Sequence, residues 1–482
     1  MVATAGLVAE ECRPDLPWMA HSLPLTGKGT DTAMNHQHHE HEHDRPGGRR
    51  VRSRWWAVGL AGVTGLALTT TAGVAAAPSA EAVGRTFTAE DRPGKPDRPS
   101  AGGHHDDKGQ KESRPKGTPV PCDPDRLIAA INLANARDGA VLDLAKNCTY
   151  LLTADIDGAG LPAITAPITL NGSKNTTIKR AAAAPLFRIL TVEAGGDLTL
   201  HHLKITGGQT DDSGGGILVN AGGALTANHS TISRNIANVA GGGIDANGTV
   251  RVRRSTISHN TANSGGGGIN VSSGLLTVSK SRVDANTALL FGGGIASAGT
   301  TRVDHSMITG NQAPSGGGLV MGTGTGTVTN THIMSNTATA GGGVTAIGGG
   351  AYTFRSVVIA DNTATAGVSG GLFMDFGMTV VVEDGVIENN AAATDGGGIA
   401  NNGDLVLRDT KVAGNTANNQ GGGIYNTSIV TFFDGKVIKN TAAVDGGGIF
   451  NNGGAVELNT ATGTVVAKNR PNNCVDVTGC PD

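Results

Sequence analysis

The stretch Asn415–Asn426, NTANNQGGGIYN, contains three consecutive glycines followed by isoleucine, and similar stretches recur along most of the chain. Three adjacent glycines would break a helix and weaken an isolated strand. Their repetition therefore indicates an architecture that requires glycine at a corner.

A repeat with a period of about 25 residues runs through the sequence. The apolar residue that closes each glycine-rich motif defines one column: Ile217, Ile244, Ile269, Ile295, Leu319, Val344, Leu372, Ile399, Ile424 and Ile449. Asparagine defines a second column: Asn235, Asn260, Asn286, Asn311, Asn336, Asn362, Asn390, Asn415 and Asn440. Isoleucine or valine lies three residues before each asparagine. Self-similarity at a fixed period is the signature of a repeat array.

The repeat unit contains short runs of alternating polar and apolar residues, such as DLVLRDTKV at 404–412. The helical period of 3.6 residues is missing, which excludes helical repeats, and about 25 residues accommodate three short strands and three turns. We therefore predict an all-β fold, a right-handed parallel β-helix in which successive coils pair about 4.8 Å apart. Glycine would relieve crowding between stacked corners, and inward asparagines would hydrogen-bond along the axis as a structural ladder.

The predicted β-helix domain spans residues 121–482, with regular repeats over 214–469. Leu127, Ile128, Ile131 and Leu133 recur at helical spacing and predict a short capping helix within an N-terminal cap at 121–137. Residues 470–482 are predicted to form the C-terminal cap.

The N-terminal region has the layout of an export signal. A basic segment precedes an uncharged, small-residue stretch at 57–77, and Ala80-Glu81-Ala82 matches a cleavage site. We interpret residues 1–82 as a signal peptide, with 1–33 an extension ahead of the start at Met34. Residues 83–120 are rich in Pro, Gly and charge and predict a disordered linker. The expected location is secreted, extracellular or at the cell surface.

Four cysteines remain after removal of the signal, an even number that suits an oxidising compartment. We predict local disulfides, Cys122–Cys148 and Cys474–Cys480, at the two ends of the folded region. The spacing alone leaves the other pairings open.

These motifs resemble two groups of proteins. Gly-Gly-x-Ile together with Ile/Val-x-x-Asn looks like the repeats of chlamydial polymorphic outer membrane proteins, although Ile or Val replaces the usual aromatic residue. The chain from about residue 120 onward is similar to secreted bacterial right-handed parallel β-helix repeat proteins, including its start, CDPDRLIAAINLANARDGAVLDLAKNCTYLLT at 122–153. The resemblance implies the same fold and an extracellular role.

Catalytic candidates are few. The parallel β-helix also hosts polysaccharide lyases and glycoside hydrolases, so Asp395 and Asp445, two coils apart with Gln420 between them, are a candidate carboxylate pair. Asp211-Asp212 is a weaker candidate. Each of these acids precedes a glycine corner, where aspartate is a common turn residue, and the turn interpretation is favoured.

A further column lies six residues before the ladder asparagines and changes from basic to acidic along the chain. It consists of His229, Arg254, Lys280, His305, Asn330, Asp384, Asp409 and Asp434, with Arg355 joining if one coil holds an extra residue. The column is either a solvated turn or a docking strip for a charged polymer. The scattered histidines His201, His202, His229, His259, His305 and His332 do not show a metal-binding spacing.

Composition limits the function classes. The net charge of -3 gives no bulk attraction to nucleic acid, and 75 glycines with only 3% aromatic residues suit a core built from small, similar units. We expect a non-catalytic β-helix that acts in adhesion or binds an extracellular or host-surface polysaccharide. We expect it to have no cofactor, no metal, no nucleic-acid partner and no integral membrane domain. A polysaccharide lyase or glycoside hydrolase is the alternative.

Overall fold

The computed structural model describes residues 117–481. They form a parallel β-solenoid of about 14 turns with about 26 residues per turn, which confirms the predicted parallel β-helix. The strands lie in three sheets: sheet I with 25 strands, sheet II with 10 and sheet III with 12. A regular coil contributes two strands to sheet I, which bends between them, and then one each to sheets II and III.

The bounds of the strands follow the repeat. The first strand of each regular coil, in sheet I, is β9 (Ala224–Asn228), β13 (Thr249–Arg253), β17 (Leu275–Ser279), β21 (Thr300–Asp304), β25 (Thr325–Thr329), β29 (Ala351–Arg355), β33 (Thr379–Glu383), β37 (Asp404–Arg408), β41 (Ile429–Phe433) or β45 (Ala455–Glu457). The second strand, also in sheet I, is β10 (Thr231–Ser233), β14 (Thr256–Ser258), β18 (Arg282–Asp284), β22 (Met307–Thr309), β26 (His332–Met334), β30 (Val358–Ala360), β34 (Val386–Glu388), β38 (Lys411–Ala413), β42 (Lys436–Ile438) or β46 (Val465–Ala467).

The remaining strands of each coil are shorter. Sheet II contains β7 (Gln209–Thr210), β11 (Ile236–Ala237), β15 (Thr261–Ala262), β19 (Thr287–Ala288), β23 (Gln312–Ser315), β27 (Thr337–Ala340), β31 (Thr363–Ala364), β35 (Ala391–Ala392), β39 (Thr416–Ala417) and β43 (Thr441–Ala442). Sheet III contains β5 (Leu190–Val192), β8 (Ile217–Val219), β12 (Ile244–Ala246), β16 (Ile269–Val271), β20 (Ile295–Ser297), β24 (Leu319–Met321), β28 (Val344–Ala346), β32 (Leu372–Met374), β36 (Ile399–Asn401), β40 (Ile424–Asn426), β44 (Ile449–Asn451) and β47 (Cys474–Val475).

The first coils are less regular. They contain β1 (Thr118–Val120), helix α1 (Pro124–Ala136), β2 (Ala140–Leu144), β3 (Thr149–Leu152), β4 (Pro167–Arg180) and β6 (Asp197–Thr206). A single 3₁₀ turn, Thr460–Thr462, interrupts the last coil within the described range.

Stacked coils place like residues on like residues, and this builds the core. In sheet III, Ile244 pairs with Ile217 on one side and with Ile269 on the other. In sheet I, Val250 and Val252 point inward and are fully buried, while the residues beside them alternate outward. A fully buried aliphatic side chain contributes about 1.5–3 kcal/mol. The core is therefore stabilised by many buried aliphatic side chains and does not depend on large aromatic ones.

The three glycines of each corner perform different tasks. Gly241 has φ +64°, a left-handed conformation that costs other residues free energy. All three positions also lack room, because an added Cβ would clash with a carbonyl oxygen: that of Ile244 at Gly241, that of Thr261 at Gly242 and that of Gly268 at Gly243. The run GGG thus meets a steric requirement at all three positions and a conformational one at the first, and both requirements are structural.

One corner departs from this rule and yields a prediction. Ser369 replaces the first glycine, has φ 59°, and is fully buried with a hydroxyl that lacks a hydrogen-bond partner among the described residues. Ser369→Gly removes both costs, so we expect it to raise the free energy of unfolding by about 2 kcal/mol. Chemical denaturation measures the change. Ser369→Ala, which removes only the hydroxyl, should give about half of it, and a less stable glycine variant would contradict this reading.

The solenoid begins earlier than the linker prediction allows. Strand β1 pairs with β2 in parallel, and Val120 is buried. The buried hydroxyl of Tyr150 donates to the carbonyl of Val120 at 3.0 Å and anchors the strand. The linker predicted for 83–120 therefore ends before Thr118, and its remainder lies outside the described residues together with the signal peptide of 1–82. In-register coils also begin before residue 214, since β5 and β7 already pair with regular strands.

Both ends of the solenoid are closed. At the N-terminal end, α1 starts at the cap Asp123, whose carboxylate accepts from the backbone of Asp125 and Arg126, and it buries Leu127 and Ile131. Leu133, expected on the same apolar face, is instead 49% exposed. At the other end, the predicted cap contributes a further sheet III strand, β47, which pairs with β44. The disulfides Cys122–Cys148 and Cys474–Cys480 are both present, which confirms the predicted pairing.

Candidate functional site

The asparagine column forms a buried hydrogen-bonded ladder. Asn336 shows the pattern: its Nδ2 donates to the Oδ1 of Asn362 at 3.0 Å and to the carbonyl of Ile308 at 3.0 Å. Its Oδ1 accepts from both the backbone nitrogen and the Nδ2 of Asn311 at 3.0 Å. The side chain is fully buried and its amide is used on both sides. The column therefore holds coils together and is not accessible to a ligand.

The ladder is longer than the predicted column. Asn440 donates to Asn469, and Asn469 donates to Asn473, whose Nδ2 donates to the carbonyl of Pro481. At the other end, the backbone nitrogen of Gly208 donates to the Oδ1 of Asn235. The last two members escape the repeat pattern because the final coil has extra residues and Asn473 lies four residues from its ladder neighbour.

The basic-to-acidic column forms the bend between the two strands that each coil contributes to sheet I. Its members are exposed and have left-handed backbones: His229, Arg254, Lys280, His305, Asn330, Ser356, Asp384, Asp409 and Asp434, with φ between 44° and 54°. Arg355 does not join it, because the register pairs Arg355 with Thr329 and Glu383 on the strands and leaves Ser356 at the bend. We name His229, Arg254, Lys280 and His305 the basic strip.

Other cations surround the basic strip. On the outward face of sheet I, Arg251 and Arg302 flank Thr277 in one row across three coils. The bend on the other side of the short second strand carries Arg234 and His259, which are also exposed and left-handed.

One acidic residue, Asp304, lies beside His305 of the basic strip. The Oδ2 of Asp304 lies 2.8 Å from the Nδ1 of His305, and its Oδ1 accepts from Thr329 at 2.7 Å. Burial alone would raise the pKa of Asp304, but hydrogen bonds from His305, Thr329 and Asn330 outweigh that effect and lower it. The positive charge of the basic strip is thus partly neutralised at its His305 end. Arg254 and Lys280 carry most of the remaining positive charge.

The candidate catalytic acids are engaged in turns. The Oδ1 of Asp395 accepts from the backbone of Gln420 at 3.0 Å and from Asn419 at 2.8 Å. The Oδ1 of Asp445 accepts from Gly446 at 2.9 Å and from Asn472 at 2.7 Å. Except for the contact with Gly446, these hydrogen bonds join each aspartate to the neighbouring coil, and they support a structural interpretation of both residues.

The pair Asp211-Asp212 is also structural in its contacts. Asp211 accepts from the Nδ2 of Asn238 at 2.7 Å, and Asp212 forms an ion pair with Arg188 at 3.0 Å. Among the histidines, His202 and His229 stack with ring centroids 4.8 Å apart. Within residues 117–481, the structure does not bring three His, Cys, Asp or Glu side chains together in a way that would hold a metal ion.

Sheet III contains a titratable group that the sequence analysis missed. Asp245 is the outward residue of β12, yet it is only 5% exposed, and its Oδ1 accepts from the Nδ2 of Asn270 at 2.7 Å. The pKa of Asp245 is raised to about 6, chiefly by burial and also by the charge of Asp212; the hydrogen bond from Asn270 and the charge of Arg188 oppose this increase. A signal was present in the sequence, because equivalent positions hold apolar residues such as Leu218, Ala296 and Val320.

Comparisons with known proteins agree with the geometry only in architecture. The chain is similar to tailspike protein 3 of bacteriophage CBA120, with 14% identity and a TM-score of 0.35 over 73% of this chain and 59% of that one. It is also similar to the A-module of the mannuronan C-5 epimerase AlgE6 of Azotobacter vinelandii, with 13% identity and a TM-score of 0.27 over 74% and 94% of the two chains. The chain thus spans less than two thirds of the tailspike's length. Neither a protein-family model nor a curated protein sequence matches the chain.

The fold assignment rests on the strand pairing itself, since neither likeness is strong enough to carry an argument. In the described part of the chain, the structure contains no helix that is long and apolar enough to cross a membrane. The apolar stretch at 57–77 lies outside that part.

Proposed function

We propose that the protein is a secreted or cell-surface β-helix that binds acidic polysaccharide through the basic strip and does not catalyse a reaction on it. The two disulfides are compatible with an extracellular location, where such bonds persist. A rigid rod that presents one cation per coil suits a polymer with regularly spaced negative charges, since neighbouring coils lie about 4.8 Å apart.

The observation that carries this proposal is the backbone of the strip. Left-handed positions favour Gly, Asn and Asp, and the acidic half of the column follows this preference with Asp384, Asp409 and Asp434. Arg254 and Lys280 occupy the same bend at φ 46° and 49° without such a local advantage. Their stacked charges also repel each other. Arg and Lys are locally unfavourable residue types at this exposed bend, and their presence there supports a role for the charge itself.

Catalysis is the second candidate, and Asp245 is the observation in its favour. A carboxyl group with a raised pKa in a sheet face is a feature of acid catalysts. Its small exposure and its hydrogen bond to Asn270 favour a structural group instead. Asp395 and Asp445 do not strengthen the case, since both carboxylates accept hydrogen bonds from the neighbouring coil.

Binding to immobilised alginate, a polyuronate, tests the proposal. We expect the purified protein to bind alginate but not neutral dextran, with an affinity that falls as salt concentration rises. In the double variant Arg254→Asn, Lys280→Asn, affinity should fall about tenfold, which corresponds to about 1.4 kcal/mol. Asparagine is well tolerated in left-handed backbone, so these substitutions remove charge without destabilising the bend.

Asp409→Asn, Asp434→Asn is the matched control, because it makes the same chemical change at the same bend of the acidic half. It should leave alginate binding unchanged or tighter. Unaltered alginate binding by the Arg254/Lys280 variant, or binding that does not respond to salt, would refute the proposal that the basic strip binds the polymer. Accumulation of reducing ends or unsaturated uronates during incubation would refute the non-catalytic part.

A further inference from the structure

A cavity of about 420 Å³ lies between α1 and the first coils of sheet III. Its floor is formed by consecutive outward residues of this face, among them Ala163, Thr191 and Leu218. Arg188 and Asp157 line one side, and Glu193 and Asn220 line another. Helix α1 contributes Ile128, Asn132 and Asn135 to the lining. The cavity shares no residue with the basic strip.

We propose that this cavity binds one terminal unit of a neutral saccharide chain. The first support is one buried hydroxyl of the lining that lacks an internal partner. Thr191 is 6% exposed, and its Oγ1 has no hydrogen-bond partner within residues 117–481. A buried hydroxyl without a partner costs about 1–3 kcal/mol, which a ligand hydroxyl would recover.

The second support is that the polar walls are held in place. Arg188 donates to Asp212 at 3.0 Å and to the carbonyl of Ser213 at 3.2 Å. Asn220 donates to the Oε2 of Glu193 at 2.8 Å. Side chains that are already fixed lose little entropy when a ligand binds.

The third support comes from the cap. Asn135 donates to the carbonyl of Ala163 at 2.7 Å and accepts from the backbone of Thr165 at 3.0 Å, so α1 is fastened to the coil it covers. The helix thereby closes the N-terminal end of the sheet III face. A chain that enters the cavity must end there, and a volume of about 420 Å³ lies at the small end of the range for ligand sites.

The chemistry of the lining selects the ligand class. Asp157 and Glu193 supply two carboxylates against one guanidinium, which Asp212 already neutralises in part, so an anionic group would be repelled. Apolar Ile128, Ile156 and Leu218 alternate with these polar groups. Apolar surface combined with convergent donors and acceptors suits a sugar ring, which presents C–H faces and hydroxyl edges.

Ligand-observed saturation-transfer NMR with neutral trisaccharides of glucose, mannose and galactose tests this proposal. We expect transfer from at least one of them, strongest at the protons of one terminal ring and insensitive to salt. Thr191→Val with Glu193→Gln should weaken the affinity at least tenfold. Both substitutions preserve shape, and the glutamine can still accept from Asn220, so the fold should be retained.

Thr345→Val is the matched control. Thr345 occupies an equivalent outward position of sheet III, is 1% exposed and also has a hydroxyl without a partner in the part of the chain that the structure describes, but it is not part of the cavity. It should bind the trisaccharide like the unmodified protein, and so should the Arg254/Lys280 variant. Absence of transfer from all three sugars, equal transfer to every ring, or full binding by the Thr191/Glu193 variant would overturn the proposal. Alginate binding through the strip is measured separately, so either proposal can fail alone.

Discussion

Replacing Asn336 by alanine is expected to lower the free energy of unfolding by about 4–6 kcal/mol. The substitution removes two donor contacts of its Nδ2, to Asn362 and to the carbonyl of Ile308. It also removes the Oδ1 that accepts twice from Asn311. Each lost hydrogen bond costs about 1 kcal/mol, and a buried group left without a partner costs more. Chemical denaturation of the disulfide-intact protein measures the loss.

Asn263→Ala controls for the loss of an asparagine as such. The side chain of Asn263 also bonds to an asparagine of the neighbouring coil, Asn238, at 3.2 Å, but on the exposed outer surface. Water can replace that contact, so we expect a change below about 0.5 kcal/mol. Similar losses for the two variants would show that burial of the ladder does not determine its contribution.

Asp245 should make the stability of the protein dependent on pH. Its pKa is raised from 3.8 to about 6 in the folded chain, so folding favours the protonated form. The stability contributed by this group is complete below about pH 4 and is lost as the pH rises through 6. The rise of the pKa from 3.8 to about 6 corresponds to about 3 kcal/mol. Asp245→Asn cannot ionise and should be more stable than the unmodified protein by about this amount at pH 8, with no such gain at pH 4.

The difference between the two unfolding free energies, measured from pH 4 to pH 8, isolates Asp245 from other titrating groups. The asparagine retains an oxygen that can accept from Asn270, so the contact at 2.7 Å is preserved in kind. A difference that does not change with pH would show that the carboxylate is ionised in the folded protein without cost. If the variant exceeded the unmodified protein in stability by more at pH 4 than at pH 8, the predicted direction of the pH dependence would be wrong.

Most of the architecture could be predicted from the repeat in the sequence. In a solenoid, a residue touches its own equivalent one coil away, so spacing along the chain converts directly into contacts in space. Asn260 and Asn286 are an example: their spacing of 26 residues is also the spacing of a hydrogen-bonded pair. The structural role of the corner glycines could be predicted for the same reason, since the stacked corners crowd each other in every coil.

By itself, the sequence thus determined the coil, its period and the inward columns, because these depend on local patterns that recur. Tertiary structure alone decided what happens where the pattern lapses. It placed Arg188, Thr191 and Glu193 around one cavity beneath α1, and it buried Asp245 on a face that alternation assigns to solvent. It also engaged Asp395 and Asp445 in hydrogen bonds with the neighbouring coil. These outcomes depend on the irregular coils, on the cap and on single side chains that depart from the repeat, which the period itself does not encode.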